Sequence, residues 1–182
     1  MFADDLKIFS QVGDSTACEQ FQLDLDAINS WNLQNNLKLN IKKCNAMKFS
    51  RSKNDLNFRY TIEDKALQWV TVYKDLGVIM DPQLTFDEYL NYIVNKANMR
   101  LGFVTRNTRD FVDVRSHLVL FNALVRSILE YGACIWNPMY LQKIQRIERI
   151  QIKFVKYLCY RSGIQCHSQI MNSFLNILDC RN

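Results

Sequence analysis

The sequence has few of the residues that punctuate irregular chain: five glycines and two prolines among 182 residues. That scarcity argues against a turn-rich β-sandwich and favours long helices. Histidine is nearly absent, with only His117 and His167, and no Cys-x-x-Cys occurs. The six cysteines (Cys18, Cys44, Cys134, Cys159, Cys166 and Cys180) therefore lack the spacing of a structural zinc site or a disulfide framework. Cys166-His167 offers two adjacent ligands with no matching pair nearby, so buried free thiols are expected. No run reaches the roughly 18 uninterrupted apolar residues of a membrane span. Acids stand near the N-terminus where a secretory signal would be basic and then apolar. The expectation is an intracellular protein, of nucleus or cytoplasm, that is neither secreted nor embedded in a membrane.

Hydrophobic residues make up 48% of the chain and charged residues 23%, a folded composition with room for one domain or two small ones. Charge is unevenly placed. Residues 1–95 carry 10 Lys/Arg against 13 Asp/Glu, whereas residues 96–161 carry 12 against 4. A basic second half suits contact with a polyanion; an ordinary solvated helix face is the alternative.

The hydrophobic period changes along the chain. From "GDSTACEQF" onward, Cys18, Phe21, Leu25, Ile28 and Trp31 recur at helical steps. Asp14, Ser15 or Thr16 is available as the cap, Glu19 as a capping-box partner, and Asn35-Asn36 as the stop. Leu37, Leu39 and Ile41, then Met47 and Phe49, alternate as strands do. Further strands are predicted at Phe58–Ile62, near Leu67–Val70 and at Val72–Met80. Asp81-Pro82 marks a break, and "TFDE", Thr85 to Glu88, has the form of a capping box. The helix after it places Ile93, Ala97, Leu101 and Val104 on one face. A second, from about Asp113, carries Leu118, Phe121, Val125 and Ile128, and "EYGACIWNP" interrupts it. A third, from about Tyr140, aligns Ile144, Ile147, Ile150 and Phe154. The predicted fold class is α+β: a helix with antiparallel strands over 1–82, a helical bundle over 83–161, and a tail over 162–182.

The opening "MFADDLKIFS" sets two like charges, Asp4 and Asp5, between apolar residues. Adjacent carboxylates are at home in a turn or a helix cap. At a half-buried position their usual compensation is a bound cation.

"FADD", "LKLNIKKCNAMKF", "YKDLGVIMD", "KANMRLGFVTR", "LVRSILEYGACIWNP" and "IQRIERIQIKF" follow one another in this chain. Taken in that order, over roughly residues 1–160, they resemble the reverse transcriptases of non-LTR, LINE-type retrotransposons, from the palm's aspartate box into the thumb. The resemblance implies a partial polymerase palm followed by an all-helical, thumb-like bundle. It implies Mg²⁺ held by Asp4, with Asp5 beside it and a third carboxylate on a neighbouring strand. Phe2 would lie near the primer end. Lys43 would meet the triphosphate of a dNTP, or is simply a surface lysine after a strand. Gly77, in "LGV", would let the primer backbone approach closely. Arg100, Arg106, Arg109, Arg126, Arg146 and Arg149 would contact the phosphates of an RNA template paired with a DNA primer. Tyr131 and Trp136 would stack on sugar or base, or serve the core.

The fingers and the strand bearing the third metal-binding Asp have no counterpart in these residues. Two-metal chemistry needs three carboxylates locked around one point. The expectation is a fragment of an RNA-directed DNA polymerase that does not polymerise DNA by itself; the alternatives are a non-catalytic nucleic-acid-binding helical module and a decayed element copy with no retained function.

Overall fold

The computed structural model describes residues 6–50 and 58–163. Phe2, Asp4, Asp5, Cys166, His167, Cys180 and most of the predicted tail lie outside the described residues. The architecture is α+β, with mainly helical content and three small two-stranded sheets. The chain divides into two compact units. One comprises the chain as far as Tyr73 with Asp81–Gln83; the other comprises Lys74–Met80 with the chain from Leu84 onward. The segment 74–80 packs with the helices, whereas the division expected from the sequence lies at 82.

In the first unit, α1 (Ser15–Gln34) starts at Asp14, whose carboxylate accepts the Ala17 N–H at 2.8 Å and the Thr16 hydroxyl at 2.7 Å. Those bonds, the Ala17 one foremost, hold the Asp14 carboxyl below its ordinary range. Of the three candidate caps, the structure selects the first. The helix stops at Asn35, and Asn36 follows in the left-handed region at φ 55°.

The alternating Leu37, Leu39 and Ile41 do not form a strand. Ile41–Lys43 make a 3₁₀ turn, and strand β1 is confined to Asn45–Ala46. Strands β2 (Thr61–Ile62) and β3 (Lys65–Ala66) form an antiparallel hairpin across Glu63-Asp64, both at positive φ as a tight two-residue turn requires. Strand β4 (Gln68–Trp69) pairs with β1 in parallel, a correction to the all-antiparallel expectation. The Gln22 side chain joins α1 to β2: its amide donates to the Thr61 carbonyl and its oxygen accepts the Thr61 N–H, each at 2.9 Å. Phe21 meets buried Tyr60 edge-on at 5.2 Å.

From Lys74 on, the second unit takes in a hairpin where one strand was expected. β5 (Tyr73–Asp75) turns through Leu76-Gly77, both at positive φ, into β6 (Val78–Met80). Helix α2 (Asp87–Asn107) begins after Phe86, which lies in the left-handed region and stands at the cap position predicted for Thr85; Thr85 Oγ1 accepts the Asp87 N–H at 3.5 Å. Asp113 caps α3 (Val114–Phe121), accepting the Arg115 N–H. The chain continues through a π-helical turn (Asn122–Arg126) into α4 (Ser127–Glu130). A short α5 (Ala133–Trp136) precedes α6 (Leu141–Ser162).

Apolar residues three and four apart on α2 and α6 meet Phe121, Val125 and Leu129 in one core. The Phe121 and Phe154 rings stack at 4.0 Å with 8° between their planes. Among the described residues, no helix is long and apolar enough to cross a membrane.

Candidate nucleic-acid interface

Two long helices of the second unit run side by side in one direction. The register shows in their cross-links. Lys143 pairs with Asp87 at 2.7 Å and donates to the Thr85 carbonyl at 2.9 Å. Arg146 donates to Asn91 Oδ1 at 2.6 Å, and Lys153 donates to Asn98 Oδ1 at 3.0 Å. The last two pairs share a separation of 55 residues, so α6 follows α2 in parallel with constant offset. Beyond them, Tyr157 Oη and Thr108 Oγ1 share a hydrogen bond of 3.1 Å, and Arg161 reaches the Phe111 carbonyl.

The cross-links place the outward ridge of α6. At 100° per residue, Arg149, Lys153, Lys156 and Tyr160 lie within about 60° of one another. All four are exposed, Tyr160 at 85%. The half-buried Glu148 lies on another side of the helix. Along α2, Arg100 and Arg106 are exposed too. None of Arg100, Arg106, Arg149 and Lys156 makes a described hydrogen bond or ion pair, and Lys153 bonds only a neutral amide. Their charge is therefore not neutralised by any of the described residues. A surface of this kind attracts a phosphate backbone and favours no base sequence.

The remaining sequence candidates divide. Arg109 is exposed in the loop after α2. Arg126 pairs with Glu130 four residues on, which offsets its charge. Arg146 is half-buried and serves the cross-link to Asn91.

Gly77, at φ 90°, does make a close approach, but to protein: an added Cβ would stand 3.3 Å from the Tyr131 ring. The Tyr131 hydroxyl donates to the Leu76 carbonyl at 2.6 Å. Its carbonyl accepts from Trp136 Nε1 at 2.7 Å and Tyr89 Oη at 3.2 Å. Trp136 is thus a buried core aromatic, while the Tyr131 ring, half exposed, is tied to the hairpin. Burial, with Tyr131 and Tyr92 nearby, raises the Tyr89 phenol above its ordinary range and keeps it a donor.

Lys43, in the first unit, is an exposed residue at the end of the 3₁₀ turn. An open groove of about 590 Å³ nearby is lined by Lys38, Lys42, Lys65 and Glu63 among others; Lys43 is not in its lining. Burial raises the adjacent Cys44 thiol, which disfavours a reactive thiolate there. Among the described residues, no group of three or more His, Cys, Asp or Glu is placed to hold a metal ion.

Sequence reasoning proposed no contact role for Lys153, Lys156 or Tyr160. The signal was present, since polar residues recur every three or four positions opposite the Ile150–Phe154 stripe.

An RNA-directed DNA polymerase from the mobile element jockey of Drosophila funebris is 24% identical over 161 residues, 85% of this chain. The chain is distantly related to that reverse transcriptase. An uncharacterised protein of Caenorhabditis elegans is 29% identical over 97 residues, 53% of this chain. The chain spans about half the length of the nematode protein and about a sixth of the polymerase. No protein-family model and no solved structure matches it.

Proposed function

We propose that the chain is part of a reverse-transcriptase-like protein of non-LTR retrotransposon type, and that its helical unit acts as a thumb-like holder of nucleic acid. The carrying observation is the exposed row Arg149, Lys153 and Lys156 on α6, which has no acidic partner among the described residues, with Arg106 also exposed on α2. The occupant is an RNA template paired with a DNA primer, held through phosphates and not through base edges.

The distant jockey relative, a polymerase by name, supports this reading. The first unit then corresponds to the end of a palm. Asp4 and Asp5 are the residues that would hold Mg²⁺, and Lys43 the one that would meet a dNTP. When bound, the metal activates the primer hydroxyl and neutralises the triphosphate. These residues alone supply two carboxylates where the chemistry uses three. Holding nucleic acid, without nucleotidyl transfer, is therefore proposed as the work of the isolated chain.

Fluorescence anisotropy with a labelled RNA–DNA hybrid tests the holding role. The Arg149→Glu/Lys156→Glu variant should bind at least tenfold more weakly at 100 mM salt, since both reversals face the polyanion. Equal binding by both proteins would refute the placement. Primer extension with dNTPs and Mg²⁺ should yield no product, and extension abolished by Asp4→Ala would overturn the division of labour.

A further inference from the structure

Helix α2 does not look like an ordinary solvated helix on its outward side. Its core stripe (Ile93, Ala97, Leu101 and Val104) and its cross-links to α6 (Asp87, Asn91 and Asn98) account for about half of its circumference. At the middle of the opposite half stand Tyr92, Met99 and Phe103, exposed by 39%, 68% and 46%. A solvent-facing helix normally puts its polar residues there. Here the apolar side chains alternate with Lys96, Arg100 and Arg106, and α2 carries no acid after Glu88. Lys74 Nζ and Lys96 Nζ lie 5.3 and 5.5 Å from the Tyr92 ring centre, gathering two positive charges at one end. At the other end, the Arg106 guanidinium lies over Gly102, where an added Cβ would come within 3.1 Å of Nη1. The missing side chain makes room for that cation against the helix surface. A mid-helix glycine otherwise costs roughly 1 kcal/mol relative to alanine.

We infer that this face of α2 is a stacking platform for single-stranded nucleic acid, with unpaired bases on Phe103 and Met99 and phosphates at Lys74, Lys96, Arg100 and Arg106. Charge complementarity decides the occupant. The face attracts a polyanion, and its flat apolar centres are covered only by an anion that also presents flat apolar groups. A duplex keeps its bases inside and cannot cover Phe103, whereas a single strand can. The stripe from Tyr92 to Arg106 extends about 21 Å, long enough for several nucleotides. The inference rests on the proposed nucleic-acid role and adds that a strand leaving the duplex is held on α2.

The test compares a labelled single-stranded oligonucleotide with a blunt duplex of the same length, using the full chain, its Phe103→Ala variant and the Arg149→Glu/Lys156→Glu variant. Circular dichroism melting checks each protein, and Phe103 is exposed enough that its loss should leave the melting curve in place. Phe103→Ala should weaken single-strand binding roughly tenfold, within the range for one lost base stack, and change duplex binding by less than twofold. Equal losses on both ligands, or no loss on the single strand, would overturn the inference and leave the duplex-holding role standing. Wild-type protein that binds neither ligand would sink both proposals. Phosphatidylserine vesicles form a third arm: vesicle binding lost in Phe103→Ala, without a single-strand effect, would assign the face to a membrane surface and refute the stacking role.

Discussion

Replacing Phe154 by alanine tests the packing that sets the α6 ridge in place. Phe154 is fully buried and stacks on the equally buried Phe121, ring centres 4.0 Å apart and planes 8° from parallel. Truncating a buried phenylalanine costs roughly 3–5 kcal/mol, and loss of the ring pair, worth about 0.5–1.5 kcal/mol, lies within that. The expected loss is about 4 kcal/mol. Against a typical domain stability of roughly 5–15 kcal/mol, that leaves the helical unit marginal. At about 4–8 °C per kcal/mol for a unit of this size, melting should move down by roughly 15–30 °C. Urea unfolding followed by circular dichroism measures the change, with Tyr160→Ala as the exposed control, expected within about 0.5 kcal/mol of wild type. A Phe154→Ala loss below about 1 kcal/mol would show that the α3–α6 core is not packed as described.

His117 is buried, its ring nitrogens 3.0 and 3.1 Å from the carbonyl oxygens of Asp113 and Thr108. His117→Phe keeps most of the volume but leaves those carbonyls without the ring, so urea titration should report a loss of about 1–3 kcal/mol. In the first unit, burial and the neighbouring Cys18 thiol push the Tyr60 phenol up to about 12. A pKa raised on folding gives stability that is full below the ordinary value of 10 and lost as pH rises through the folded value. Unfolding of the first unit should therefore set in between about pH 10 and 12, with Tyr60→Phe removing that dependence in a phenolate absorbance titration. Lys143→Ala removes an ion pair with an exposed Asp87 and one bond to the Thr85 carbonyl, so its thermal melt should fall by the equivalent of about 1 kcal/mol or less.

Features set by neighbouring residues were legible in the sequence. The start of α1 follows from one carboxylate three residues before the N–H it caps, and the α2 and α6 core stripes follow from helical spacing. The alternation at Leu37, Leu39 and Ile41 misled because a period of two needs a partner strand to become a strand. The structure gives β1 a partner only from Asn45, with β4 in parallel more than twenty residues on.

The candidate surface was half legible. The excess of Lys and Arg after residue 95 is written in composition, but which cations remain un-neutralised depends on contacts far apart in sequence. Arg146 is drawn to Asn91 across 55 residues, and Tyr131 covers Gly77 through a bond to Leu76. Helical spacing sets Tyr92, Met99 and Phe103 opposite the Ile93–Val104 stripe, but their apolar character gives no sign in the sequence that this side of α2 is exposed. Only the position of α6 shows that they face solvent.

The salt dependence of hybrid binding tests the central claim most directly. If the four or five cations of the α2 and α6 surface each meet a phosphate, log K should fall against log salt with a slope of about −3.6 to −4.5. Replacing Arg149 and Lys156 by alanine should make that slope shallower by about 1.8. A wild-type slope near zero, or one that the double replacement leaves unchanged, would mean that this surface does not hold nucleic acid.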